Sequence, residues 1–476
     1  MNRMPRALAI LAFTLLAGAS LAAATAHAKV YVYNCVLSPK QESPPTASSG
    51  AGGGYFVIDT DANQVKYWIS FGGLTSPENA AHIHGFAAPG FGGGILTSLP
   101  AGNPKIGTWN YTEPQEASIL AGLTYANIHT DNFGGGELRG QIVPLNAVLD
   151  QAQETPTPPV ASTGTGWMTA TIDTAANTIS YYIAYSGLTG AVNAAHFHGL
   201  SNYGAPGGVR VTLAATASPM TGTVSYPAAD EAAILAGRYY VNLHTVANSG
   251  GEIRGQVSPH VVPADMVQEG LGPGASSGYV LTAIDTAANV LGFDLHITQL
   301  SGPETAAHIH GYASLGEDAN LLQAIVVSPR ALGTWTYPAA NETDVLTGRT
   351  YFNVHTGLNS NGEIRGQNLY QLGTQPVAGV DGPPRVLPRL SAAPNPFGSH
   401  TSLTFNLPRT SAVSLAILSV DGRRVRNIPP TLFAPGPHTY EWDGLDDAGR
   451  AAAPGIYFAV VHTPDGDITT RLARLK

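Results

Sequence analysis

The 476 residues carry 23 basic and 32 acidic side chains, and the net charge of −9 is spread along the chain without a basic stripe, which argues against nucleic acid as a partner. Charged residues make up 12 % of the chain, about half the roughly 25 % usual in soluble domains, and 55 glycines with 35 prolines favour many turns over long helices. A chain of this length has room for three or four domains of ordinary size.

The N-terminus predicts export. Arg3 and Arg6 precede an apolar run from Ala7 to Ala23, and Ala26-His27-Ala28 follows. A positive start, an apolar stretch and a small-x-small site make up a secretory signal peptide, so residues 1–28 are expected to be removed after Ala28. No later stretch reaches the roughly 18–20 apolar residues that cross a bilayer, which leaves no membrane span once the signal is gone. Cys35 is the one cysteine and cannot form a disulfide within the chain. On an alternating strand it reads as a small buried apolar residue.

Lys29 to Leu37 alternates as a strand, and a loop with Gln41-Glu42-Ser43-Pro44-Pro45 follows. Tyr55 to Asp59 and Val65 to Phe71 alternate as strands joined by Asp61-Ala62-Asn63, a turn in which Asn can take positive φ. Next come Ala80-Ala81-His82-Ile83-His84-Gly85, a glycine-rich loop from Pro89 to Gly94, and strands near 94–98 and 107–111. A helical segment from Glu113 to Ala121 is stopped by Gly122. Asn127-Ile128-His129-Thr130 and Gly136-Glu137-Leu138-Arg139-Gly140-Gln141 close the unit.

The same series returns twice. The histidine pair recurs as His196 with His198 and as His308 with His310, and the third histidine as His244 and His355. The closing motif recurs with Glu252 and Arg254, and with Glu363 and Arg365. Nine of the fifteen histidines fall in these slots. Gln153-Glu154 and Gln268-Glu269 take the place of Gln41-Glu42, so the proline-rich stretches before the second and third copies open modules and are not linkers. The expected organisation is three modules at 29–147, 148–261 and 262–375, a linker at 376–389, and a different domain at 390–476. Short strands at close spacing with one short helix predict an all-β fold, each module a β-sandwich or Greek-key unit.

Residues i and i+2 of a strand share a face. His82 and His84 therefore oppose Ile83, Asn127 and His129 oppose Ile128, and Glu137, Arg139 and Gln141 oppose Leu138 and Ile142. With the apolar set packed inward, three strands present seven polar side chains on one outward face. Two readings follow. An i, i+2 histidine pair with a third histidine is a set of nitrogen ligands for copper or zinc, with Glu137 or Glu42 as a fourth ligand or an orienting partner. Alternatively the face is a hydrogen-bond lattice, in which Glu137 pairs with Arg139 and the imidazoles satisfy loop carbonyls. No nucleophile elbow, P-loop or dinucleotide fingerprint is present.

Through QESPP at 41–45, AHIHG at 81–85, NIHT at 127–130 and GGELRGQ at 135–141, the module resembles the CHRD (chordin) domain, in three copies over about 29–375. In chordin, similar domains belong to a secreted protein that binds bone morphogenetic proteins, and in bacteria they sit in exported proteins. The resemblance implies an extracellular domain and leaves its ligand open. The module is also similar to copper/zinc superoxide dismutase, in which an H-x-H strand and a later single histidine hold copper. Carried over, His82, His84 and His129 match copper ligands, while the bridging histidine, the zinc loop and the disulfide have no counterpart.

The last segment opens with Ala393-Pro394-Asn395-Pro396-Phe397 and carries strands at 402–407 and 413–418, an Asp421-Gly422-Arg423 turn, Trp442-Asp443-Gly444 and Gly455-Ile456-Tyr457-Phe458. It resembles the immunoglobulin-like domain of flagellar hook-capping proteins and the C-terminal sorting domains of type IX secretion. That resemblance implies delivery to, or attachment at, the outer cell surface, with the export machinery as a partner. The sequence thus reads as a secreted or cell-surface, non-enzymatic protein whose modules form a binding or adhesive array for an extracellular protein or surface ligand. The alternative is a redox or metal-sequestering protein with a three-histidine copper or zinc site in each module.

Overall fold

The structure, a computed structural model, describes residues 30–155, 161–214, 216–368, 390–407, 411–420, 422–434, 436–463 and 466–475. The expected signal peptide and linker lie outside the described residues. The chain is all-β. The first module contains β1 (Val30–Leu37), β2 (Ala51–Asp59), β3 (Gln64–Gly72), β4 (Glu78–Gly85), β5 (Gly94–Ser98), β6 (Lys105–Asn110), a helical turn α1 (Glu116–Leu120), β7 (Tyr125–Thr130) and β8 (Leu138–Gln141). Two antiparallel sheets, in the orders β1-β2-β3-β6 and β5-β4-β7-β8, face one another. The alternation of the strands sends Ile83, Ile128, Leu138 and Ile142 into one core with Cys35, Phe56 and Ile69. Asn63 takes φ 53 at the β2–β3 turn, and Gly122 takes φ 70 where α1 ends.

The second module repeats this strand series with β9 (Leu145–Asp150), β10 (Thr165–Asp173), β11 (Thr178–Ser186), β12 (Val192–Gly199), β13 (Gly208–Thr212), β14 (Met220–Ser225), α2 (Glu231–Leu235), β15 (Tyr239–Thr245) and β16 (Ile253–Val257), and pairing of β16 with β9 joins its two sheets into one of eight strands. The third has β17 (His260–Asp265), β18 (Ser277–Asp285), β19 (Val290–Gln299), β20 (Glu304–Gly311), β21 (Leu321–Ile325), β22 (Arg330–Thr336), α3 (Glu342–Leu346), β23 (Thr350–Thr356) and β24 (Ile364–Gln367). The strands β9 and β17 start ahead of the boundaries expected at 148 and 262. The turns repeat as well, with Asn177 at φ 53 and Asn289 at φ 54.

The modules are not beads on a string. Their first strands, β1, β9 and β17, meet one another, and Val36, Val261, Tyr279 and Leu281 form an apolar cluster there with Ala51 and Val148 against it. The buried Asn34 amide reaches the Pro259 carbonyl at 2.6 Å and accepts from the Val261 N–H at 3.3 Å, while Asn146 donates to the Asn34 carbonyl at 3.2 Å. Module 1 touches module 2 through Lys40 and Thr165. Module 2 touches module 3 through Asp150 and Arg330 at 2.6 Å. Module 3 returns to module 1 through Asp265, which accepts from the Trp68 indole N–H at 2.6 Å. Three interfaces in head-to-tail order thus close the modules into a ring, the single-chain counterpart of a cyclic trimer.

The C-terminal domain is a separate sandwich of β25 (Ser391–Ala393), β26 (Thr401–Leu407), β27 (Ser411–Ser419), β28 (Arg424–Phe433), β29 (Gly436–Trp442), β30 (Gly455–Thr463) and β31 (Gly466–Arg474). The sheets run β25-β26-β29 and β28-β27-β30-β31. Trp442 is fully buried in its core, with the indole N–H on the Leu445 carbonyl at 2.9 Å. Among the described residues no helix is long and apolar enough to cross a membrane.

Candidate metal centre

Each histidine cluster lies on the face that turns away from the core, on the β5-β4-β7-β8 sheet of module 1 and on β12 with β15 and β20 with β23 in the other two. In register, His82 sits opposite Asn127 and His84 opposite Tyr125, and these in turn sit opposite Arg139 and Gln141 on β8. His129 follows Asn127 by two residues and shares its face. The imidazoles meet, with ring centroids of His82 and His129 5.0 Å apart, His82 and His84 5.3 Å, and His84 and His129 5.8 Å. In every module, one nitrogen from each of the three histidines lies within 4.8 Å of the other two. The clusters are His82, His84 and His129; His196, His198 and His244; and His308, His310 and His355.

The other ring nitrogens fix the tautomers. His84 Nδ1 contacts the Gly93 carbonyl at 3.0 Å and His129 Nδ1 the Gly134 carbonyl at 3.1 Å. A carbonyl only accepts, so both rings carry the proton on Nδ1 and turn the Nε2 lone pair to the centre. The second module repeats this with His198 on Gly207 at 2.9 Å and His244 on Ser249 at 3.0 Å. The third does so with His310 on Ala319 at 3.0 Å and His355 on Ser360 at 3.1 Å. The first histidine of each trio presents Nδ1. In module 2 the three central atoms, His196 Nδ1, His198 Nε2 and His244 Nε2, are all buried without a hydrogen-bond partner. Leaving such an atom unsatisfied costs about 1–3 kcal/mol. In modules 1 and 3 the first and third histidines approach through nitrogens 3.1 and 3.0 Å apart, a contact that needs a proton or a cation between them. Burial, with the neighbouring imidazole adding to it, lowers the pKa of His82, His196 and His308. The neutral, ligating form is the one favoured.

A second layer holds the second histidine of each pair. Tyr125 stacks on His84 with centroids 5.0 Å apart and rings within 9° of parallel, and the Arg139 guanidinium carbon lies 3.6 Å from the Tyr125 centroid. Since β7 runs between β4 and β8, the tyrosine is sandwiched between imidazole and guanidinium. Arg139 donates to the Phe91 carbonyl at 2.9 Å, Gln141 to the Ala87 carbonyl at 3.0 Å, and the Gly93 N–H to the Tyr125 hydroxyl at 3.0 Å. The loop that offers its carbonyl to His84 is thereby pinned at three points. Arg254 with Tyr240 and Arg365 with Tyr351 repeat the stack at 3.5 Å.

The carboxylates correct the sequence reading. Glu137 does not pair with Arg139. Fully buried, it accepts from Ser48 at 2.6 Å, Thr130 at 2.6 Å, and both the N–H and hydroxyl of Thr75 at 2.8 and 2.9 Å. Burial pushes its pKa up, but these donors outweigh burial and hold it below the usual carboxylate value. Glu252 and Glu363 are held at about 2 in the same way, by Ser162, Thr189 and Thr245 and by Ser276, Ser301 and Thr356. The polar face is also not outward to water, because the loops cover it and Arg139, Arg254 and Arg365 are at most 2 % exposed. Glu42 is buried too, bonds Asn127, and has its pKa raised to about 7 by burial. Its Oε1 and Asn127 Oδ1 lack partners, and both lie within 2.6 Å of the point a Cβ on Gly136 would occupy. Neither Glu42 nor Glu137 joins the nitrogen cluster, and among the described residues no second cluster of three or more such ligands accompanies any trio.

Family models match this chain as three copies of the CHRD domain, at 33–142, 145–257 and 259–368. The chain belongs to the CHRD domain family. A FlgD Ig-like domain matches residues 394–467, after the third CHRD module. No curated protein sequence matches the chain. Among solved structures it is similar to dimeric latent PorU from Porphyromonas gingivalis, with 13 % identity and a TM-score of 0.21, covering 74 % of this chain and 31 % of that one. PorZ, a surface component of the type IX secretion system of the same organism, matches with 9 % identity and a TM-score of 0.15 over 89 % and 56 % of the two chains. A Salmonella alpha-2-macroglobulin mutant matches with 12 % identity and a TM-score of 0.15 over 93 % and 30 %. The chain thus spans about a third to about half of those chains' lengths.

Proposed function

We propose that this is an exported, extracellular or surface metal-binding protein whose CHRD modules each hold one copper or zinc ion on three histidines. The observation that supports it is the set of buried, unpartnered nitrogens His196 Nδ1, His198 Nε2 and His244 Nε2, converging while backbone carbonyls hold the protons of His198 and His244 on their far sides. Carbonyls fix His198 Nε2 and His244 Nε2 as acceptors that find no donor, and a cation would satisfy both together with His196 Nδ1. The binding array of the sequence reading then becomes an array of metal sites. For the FlgD Ig-like domain we propose a role in secretion or surface attachment, in keeping with its place after the last CHRD module. The test is metal content. The full chain, purified and dialysed against copper or zinc, should retain the ion, and a variant with all nine cluster histidines replaced by Ala should retain none.

A further inference from the structure

Resting on that reading, we propose that the sites take copper as the cuprous ion in preference to zinc. The cluster offers three neutral imidazoles, and among the described residues no carboxylate or thiolate joins it. Cys35, the one sulfur that could bind as thiolate, is packed in the core of module 1 among apolar side chains on the opposite side of the sheet. A dication held by neutral donors keeps its whole charge. A guanidinium stands on the far side of the tyrosine that stacks on one ligand, 3.5–3.6 Å from the centre of that ring, and Glu42, Glu154 or Glu269 acts on it in turn. Coulomb repulsion between that group and the ion is halved when the ion carries one charge and not two. Three nitrogen donors also complete the coordination of a cuprous ion, whereas zinc fills a fourth position.

The three modules differ in one respect that sharpens the inference. The loop carbonyls accepting from the arginines belong to Phe91, Ala205 and Glu317. Module 3 therefore carries an acidic pair, Glu317 and Asp318, where modules 1 and 2 have Phe91-Gly92 and Ala205-Pro206. Both carboxylates act on Arg365, and Asp318 also acts on His310. They offset the guanidinium, so the third site is the least selective against zinc.

The experiment is an anaerobic competition on the full chain. Cuprous ion is supplied with bicinchoninate as the coloured competitor and ascorbate as reductant, and zinc is titrated separately against a zinc chelator. Three cuprous equivalents should bind more tightly than zinc, by on the order of tenfold at the first two sites. The double variant Glu317→Gln, Asp318→Asn should weaken zinc more than cuprous ion at the third site and raise its cuprous-over-zinc ratio to that of the other two. Equal or tighter binding of zinc at all three sites would overturn the cuprous preference and leave the metal reading standing. Binding of neither ion would sink both. A cuprous-over-zinc ratio at the third site unmoved by the double variant would refute the electrostatic cause.

Discussion

Replacing Glu42 with Gln should stabilise the metal-free protein at neutral pH. Burial raises the Glu42 pKa from 4.5 to about 7. The unfolded chain gives up this proton near 4.5 and the folded chain holds it to about 7. A pKa raised on folding adds stability below the unfolded value, and that contribution is lost as pH rises from 4.5 through about 7. Fully developed, the loss amounts to about 3 kcal/mol. A glutamine keeps the neutral form at every pH. Its carbonyl can accept from the Asn127 amide as the carboxyl does, and its own amide can donate to Asn127 Oδ1, which now lacks a donor. Urea denaturation of parent and Glu42→Gln in EDTA, from pH 4.5 to 8, isolates the effect, because the histidines titrate in both proteins and cancel in the difference. The variant should match the parent near pH 4.5 and exceed it increasingly towards pH 8. A variant less stable than the parent at pH 8, or a difference independent of pH, would refute the reasoning.

Arg139→Lys keeps the charge and loses the planar fork that ties down the loop carrying Phe91 and Gly93, so metal affinity at module 1 should fall by about 10–100-fold in a chelator competition while modules 2 and 3 keep theirs. Trp68→Phe removes the donor that module 1 supplies to the buried Asp265, and should cost about 1–3 kcal/mol in urea denaturation, with modules 1 and 3 both affected. Unchanged stability would argue that the ring is not closed through this contact. Deleting residues 390–476 should leave the protein in the periplasm when the cells are fractionated. Unchanged surface display of the truncated chain would refute a sorting role for the Ig-like domain.

Much of each module was legible because its signals are local. Strand alternation put Ile83, Ile128 and Leu138 in the core and brought both histidines of the pair onto the opposite face. Asn63 and Gly122 marked their turns through the positive φ that each adopts. Glu137 was misassigned because the spacing shows which residues share a face but not what covers it. Its true partners, Ser48 and Thr75, come from loops far away in sequence. The one nearby signal was Thr130, whose hydroxyl accounts for the threonine that follows each third histidine. Ring closure was not legible, since only one side of its contacts repeats: Asp150 and Asp265 hold equivalent positions, while their partners Arg330 and Trp68 do not. Trp68 stands where module 2 has Tyr182 and module 3 has Asp294, and a pattern found by comparing copies passes over such positions.

The most direct test of the central claim is metal stoichiometry on the full chain, parent against three variants, each with one histidine trio replaced by Ala. Elemental analysis after loading and dialysis should find three ions per parent chain and two in each variant, whichever trio is removed. No bound copper or zinc in the parent, or the same content in parent and variants, would contradict the assignment of the ions to these histidines.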